Sequence, residues 1–179
     1  MNRNELARAI YETAHLTGTF TLRSGTVSHE YFDKYLFEAN PKLLKAIAEG
    51  MAEQVPSGID ALAGLEMGGI PLVTMLSQIT GLPALFVRKQ AKQYGTAKLA
   101  EGGEVEGRKL LVVEDVITSG GQVVISTGDM RKLGATIEQC VCVIDRQAGG
   151  REALAEGGIA LSSLFTMSEL KEAGASAQA

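Results

Sequence analysis

The chain has 179 residues, 45% of them hydrophobic, and a formal net charge of −4. That is enough material to bury one core of ordinary domain size, while the acidic balance argues against a general nucleic-acid binder, which would present an excess of basic residues. The longest apolar runs, such as Leu110 to Val113, fall far short of the roughly 20 residues that cross a bilayer. No membrane association is expected. Met1-Asn2-Arg3-Asn4-Glu5 leads straight into an amphipathic pattern without the apolar core of a secretory signal, so a cytoplasmic protein is expected. Two cysteines (Cys140, Cys142) and two histidines (His15, His29) leave little material for a metal site rich in these ligands or for a histidine triad.

In chain order, a first helix is expected from Asn4 to Leu16, with Leu6, Ile10 and Ala14 at helical spacing and Gly18 just past its end. Residues 18–40, rich in aromatics and turn formers, read as a small cap over the core. Asn40-Pro41 is an N-cap followed by proline at the first helical position, and the helix it opens turns Leu44, Ile47, Ala48, Met51 and Val55 inward. Beyond it, short apolar runs at 61–65, 83–87, 109–113 and 137–144 alternate with helical stretches near 70–80, 120–133 and 151–156. Strands alternating with helices predict an α/β fold with a mostly parallel central sheet flanked by helices. The segment from Arg88 to Gly107 fits neither element, and a loop that long in a compact domain is usually functional. Cys140 and Cys142, two apart in a strand, should face the same side as reduced core thiols. The tail from Ala173 to Ala179 is small and polar and is expected to fray.

The strongest chemical signal is Leu110-Leu-Val-Val-Glu114-Asp115-Val116-Ile117-Thr118-Ser119-Gly120-Gly121-Gln122. An apolar strand ends in two adjacent carboxylates, and a turn of small residues then opens a helix. Backbone N–H groups and hydroxyls at such a helix N-terminus make an anion site, and a phosphate suits it. The spacing is neither that of a Walker A loop nor that of a dinucleotide-binding glycine pattern. The carboxylates stand immediately before the phosphate cradle, where they can reach the hydroxyls of a sugar whose phosphate the turn holds. A second signal is Arg88-Lys89-Gln-Ala-Lys92-Gln-Tyr94-Gly95, part of a stretch with four basic residues and no acid in an acidic protein; the potential there should be locally positive.

The first string resembles the phosphoribosyl pyrophosphate (PRPP) signature of the type I phosphoribosyltransferases. The second is similar to the Arg-Lys-x-x-Lys-x-His-Gly loop of the orotate phosphoribosyltransferases, with Tyr94 where that family usually has histidine. Phe20-Thr-Leu-Arg23-Ser24-Gly25 followed by Glu30-Tyr31-Phe32-Asp33-Lys34 resembles the family's hood, which closes over the base, and Asp145-Arg146 stands where the family has an arginine for orotate. Glu66-Met67-Gly68-Gly69-Ile70-Pro71 matches a pyrophosphate loop, with Met67 and Gly68 in place of the usual tyrosine and lysine. These matches run from about Leu6 to Glu169.

The resemblance implies a single phosphoribosyltransferase domain over 1–179, with the hood at about 18–40 and a mobile catalytic loop at 88–107. It implies catalysis by Lys92, Glu114 and Asp115. PRPP would be bound by Arg88, Lys89, Lys92, Tyr94, Glu114, Asp115, Val116, Ile117, Thr118, Ser119, Gly120, Gly121 and Gln122, and orotate by Thr118, Arg146, Phe32 and Arg23. Mg²⁺ would be carried mainly on PRPP, without a protein ligand set of its own. A homodimer with shared active sites is also implied. Two rivals keep the same PRPP signature. A purine phosphoribosyltransferase lacks the basic loop in this form and has no use for Arg146 as a carboxylate grip. A PRPP-sensing regulator that binds nucleic acid is opposed by the negative charge and by the lack of an added helix-turn-helix.

Overall fold

In the computed structural model the structure describes residues 1–21, 25–91 and 98–176. Helix α1 (Arg3–Ala14) starts on a capping box, in which the Asn2 side chain accepts from the Glu5 backbone N–H and Glu5 reaches back to the Asn2 N–H. It buries Leu6, Ala7, Ile10 and Ala14. The helix stops earlier than expected: Leu16 and Gly18 belong to β1 (His15–Thr21), which pairs antiparallel with β2 (Val27–Phe32) in a separate two-stranded sheet. The predicted cap is therefore this hairpin followed by the short helix α2 (Lys34–Glu38), capped by Asp33. Helix α3 (Pro41–Ala52) starts where Asn40-Pro41 places it, with Leu43, Ile47, Ala48 and Met51 buried. Leu44 and Val55, expected to point inward, are only partly buried, because Leu43 holds the inner position of that first turn.

The rest alternates: β3 (Ala61–Leu65), α4 (Gly69–Thr80), β4 (Ala84–Val87), β5 (Ala100–Glu101), β6 (Lys109–Ile117), α5 (Gly121–Lys132), β7 (Thr136–Asp145), α6 (Gly150–Glu156), β8 (Ala160–Thr166) and α7 (Met167–Ala175). Strand order is β5-β4-β3-β6-β7-β8, with every pairing parallel except β4 with β5. The expected loop 88–107 is thus interrupted, because β5 returns to pair with the end of β4. Helix α7 carries regular structure through Ala175 and buries Gly174, so the frayed tail predicted from Ala173 is shorter than expected.

Period-two alternation along the strands divides the core between the two sheet faces. Leu111, Val113, Val141 and Val143 join residues of α1, α3, α4 and α7 on one side, while Leu110, Val112, Cys140 and Cys142 join residues of α5 and α6 on the other. Both cysteines are free and buried, and burial pushes both thiols up, as inert core groups behave. From β3 the chain crosses to β4 on one side, whereas β6 lies on the other. The carboxyl ends of β3 and β6 therefore flank the switch point of the sheet, the usual place for a ligand in an open α/β fold. No helix among the described residues is long and apolar enough to cross a membrane.

Candidate active site

Two adjoining clefts open at this switch point. The first, about 330 Å³, is lined by Glu66, Met67, Lys89, Glu114 and the turn from Val116 to Val123. Its floor is the transition from β6 to α5. Gly120 adopts φ 72°, and a Cβ there would overlap Leu154 and lie 3.0 Å from the Gly150 carbonyl. A side chain at this point would thus have to push α6 away from the turn. The N-terminus of α5 has no side-chain cap, so its first N–H groups are left to an anionic ligand. Thr118 and Ser119 are exposed on the same turn. Gln122 turns partly away, donating from Nε2 to Ser126 Oγ at 3.0 Å.

The opposite wall comes from the end of β3. The Glu66–Met67 peptide is cis, and the Glu66 carboxylate accepts from the Lys89 backbone N–H at 2.7 Å, which ties this wall to the start of the basic segment. Gly68 and Gly69 bring the wall against β6. A Cβ on Gly69 would sit 2.5 Å from the Val113 carbonyl, and one on Gly68 would overlap the Asp115 carboxylate. The residue that replaces the family's lysine is a glycine, packed here directly against the Asp115 carboxylate.

Glu114 and Asp115 occupy different environments despite being neighbours. Glu114 lines the cleft, half-buried, with Oε2 lacking a hydrogen-bond partner. Asp115 is 0% exposed. Its Oδ1 accepts from the Val116 N–H at 2.5 Å, and Oδ2 is paired with the Lys34 ammonium. Burial works against the charge on Lys34, but Asp115 more than offsets it and raises the lysine pKa. Burial first, and Asp115 second, push the Glu114 carboxyl well above the usual range. Glu38, 6% exposed at the end of α2, joins the same group; burial and then Asp115 push its pKa up to about 8.

The second cleft, about 420 Å³, lies between hood and sheet, and its walls include Phe32, Lys34, Thr118, Arg146 and Lys171. The β7 end aims Arg146 into it. Its backbone N–H donates to the Ile117 carbonyl at 2.9 Å, while the preceding Asp145 is held by Arg151 at 3.0 Å and accepts from the Gln147 N–H at 2.8 Å. Arg146 itself has no ion-pair partner among the described residues and is exposed, so its fork of N–H donors is open to a planar carboxylate. Phe32 packs its ring 6.5 Å from that of Phe37, and Phe20 tilts against Tyr31 at 5.5 Å rather than lining the cleft. His15 and Tyr11 stack on the same wall at 4.6 Å.

The two clefts share Lys34, Tyr35, Val116 and Thr118. Of the residues singled out in the sequence, Lys89, Glu114, Val116–Gln122, Phe32 and Arg146 line one or both. Asp115 lies beneath them, and Arg88 stands beside, 3.7 Å from the Glu101 carboxylate. Arg23, Lys92 and Tyr94 fall outside the described residues. In the sequence Lys34 enters only as part of the hood string, with no role of its own, and Glu38 was not singled out. Among the described residues no group of three or more histidines, cysteines and carboxylates is arranged to hold a metal ion.

Residues 36–156 match the family model of the phosphoribosyl transferase domain. The chain is 51% identical over 173 residues to an orotate phosphoribosyltransferase of Nocardioides sp., covering 95% of this chain and 97% of that one. It is 42% identical over 167 residues to an orotate phosphoribosyltransferase of Methanocella arvoryzae, covering 93% and 95%. Among solved structures, the fold superposes on Mycobacterium tuberculosis orotate phosphoribosyltransferase in complex with PRPP with a TM-score of 0.81, at 27% identity and covering 94% of this chain and 98% of that one.

Proposed function

Because this chain belongs to the orotate phosphoribosyltransferases, we propose that its two adjoining clefts divide the substrates, PRPP in the first and orotate in the second. The enzyme transfers ribose 5-phosphate from PRPP to orotate, giving orotidine 5′-phosphate and pyrophosphate, a step of pyrimidine biosynthesis. The observation that carries the division is the seam: Lys34, Tyr35, Val116 and Thr118 border both clefts, so the carbon that changes partners sits where the two substrates meet.

The bond from the anomeric carbon to the pyrophosphate oxygen breaks as a ring nitrogen of orotate forms a new one, through a ribosyl centre that carries positive charge. The turn from Thr118 to Gly121 and the first N–H groups of α5 hold the 5-phosphate. Glu114, with its unpartnered Oε2, accepts a ribose hydroxyl, and the buried charge of Asp115 adds a negative field beneath the cationic centre. Arg88, Lys89 and Lys92 meet the leaving pyrophosphate, with Tyr94 beside them. The orotate ring N–H, made acidic by two carbonyls, gives its proton to the departing pyrophosphate as the new bond forms, so no side-chain base is required; Arg146 grips its carboxylate and Phe32 and Arg23 cover it. Backbone donors and lysines line the first cleft together with Glu66 and Glu114, and among the described residues no carboxylate group is arranged to chelate a cation; Mg²⁺ would therefore ride on PRPP and would supply Lewis-acid stabilisation and a template for the leaving group.

The whole chain, 1–179, acts as one phosphoribosyltransferase domain in the cytoplasm, with 18–40 as hood. A homodimer, each basic segment serving the partner's site, completes the reading. Incubating the protein with PRPP, Mg²⁺ and a panel of free bases tests it. Orotidine 5′-phosphate from orotate alone is expected; nucleotide from adenine or another purine, or none from any base, would overturn it.

A further inference from the structure

Three carboxyl groups converge beneath the seam, and one cation is set against them. Glu38 at the end of α2 is buried, Glu114 on β6 adjoins Asp115 in the chain, and after burial Asp115 is the main influence on the charge of each, while Lys34 pairs with Asp115. Glu38 Oε1 and Glu114 Oε2 lack a hydrogen-bond donor among the described residues, and Asp115 Oδ2 faces the Lys34 ammonium. Two ionised carboxylates offer only acceptors to each other, so an oxygen–oxygen contact between them satisfies neither; one proton between them satisfies both. Like charges this close also resist ionising together.

The charged groups facing Glu38 are Asp115 and Glu114 from β6 and Lys34 and Asp33 from the hood side. Helices α1 and α3, which also pack on α2, contribute the buried apolar residues Ile10, Ala14, Leu43 and Ile47. Glu38 is itself buried, and Lys34 lies on Asp115 rather than on it.

We propose that Glu38 is a positioning residue for the transfer: a protonated carboxylic acid whose O–H bonds Asp115 and, with Lys34, fixes that aspartate as a buried anion beneath the ribose site. The inference rests on the assignment of the first cleft to PRPP. Loss of the Glu38 proton would add an uncompensated negative charge under the cleft that must take a polyanion.

The test compares wild type, Glu38→Gln and Glu38→Ala in two measurements. The first follows kcat and KM for PRPP, at saturating Mg²⁺ and orotate, from about pH 6.5 to about pH 9.5. For wild type, KM should rise about tenfold between about pH 7 and about pH 9, as expected when one ionisation abolishes binding. Glu38→Gln, whose amide donates to Asp115 but cannot ionise, should flatten that rise. Glu38→Ala should lose about tenfold or more in kcat, which the glutamine variant restores. The second measurement is infrared difference spectroscopy on the substrate-free proteins at neutral pH, where wild type should show a carboxylic-acid carbonyl band that Glu38→Gln lacks. An alkaline rise in KM that persists unchanged in Glu38→Gln, or acid bands identical in the two proteins, overturns the proposal. If wild type makes no nucleotide at all, the assignment of PRPP fails instead, and the infrared result still decides the state of Glu38.

Discussion

The two clefts meet at the end of β6 but are made of different material. The phosphoribosyl cleft is built largely from backbone: a turn with an uncapped helix N-terminus behind it, and a facing wall pressed so close that Gly68 and Gly69 admit no side chain. The base cleft is built from side chains that come from the hood, from β7 and from α7. The first should fail when a glycine gains a Cβ. The second should keep its shape under substitution and lose its choice of base when one cation is removed.

The largest effect is expected from Gly68→Ala. The added methyl overlaps the Asp115 carboxylate, so the wall or the aspartate must shift. Misplacement by about 1 Å costs on the order of 100-fold, and leaving Asp115 strained adds about tenfold for each ~1.4 kcal/mol. A fall in kcat/KM for PRPP of about 1,000-fold is the expected result of steady-state kinetics, and a near-normal value would dissolve the contrast between the clefts. Next in size is Arg146→Ala, which should lower kcat/KM for orotate by about 100-fold, the loss typical of a charged hydrogen-bond partner. PRPP affinity, read by calorimetry, should stay nearly unchanged; if it falls equally, the division of substrates is wrong.

The smallest effect concerns stability. Glu38 is held up to about 8 in the folded protein, so between the ordinary carboxylate range and that value the folded state keeps a proton that the unfolded chain releases. Wild type must therefore lose stability as pH rises through this window. Glutamine does not titrate. The Tm of Glu38→Gln relative to wild type should rise by several degrees or more from about pH 5 to about pH 8, and a difference that stays flat with pH would remove the proton from Glu38.

The contrast also explains what could be read from the chain. The phosphoribosyl cleft draws its turn from one continuous string, and the β6–α5 transition sits where the apolar run and the small residues place it. The parallel sheet followed from strands alternating with helices, although β8 and α7 escaped notice because Ala160–Thr166 mixes serines among its apolar residues. The base cleft depends on long-range pairing that no local pattern encodes. Lys34 and Glu38 show the difficulty most clearly: four residues apart, they have the spacing of an ordinary helix-surface ion pair. In the fold the lysine turns to Asp115 on β6 and the glutamate is buried. The only signal available was their position beside the hood aromatics, which by itself points no more to the site than to solvent.

The return of β5 onto β4 has a further consequence. Arg88 N–H donates to the Leu99 carbonyl at 2.9 Å, and Val87 pairs with Ala100, so the two points that bracket the basic segment lie side by side on the sheet. Its ends are already joined by the ladder. In polymer terms the segment is a closed ring, whose closure entropy grows only with the logarithm of its length, by about 0.6 kcal/mol for each doubling. Residues can therefore be inserted or removed between these anchors at little thermodynamic cost to the sheet, and the length of the basic segment is left to be set by what it must reach rather than by what the fold can bear.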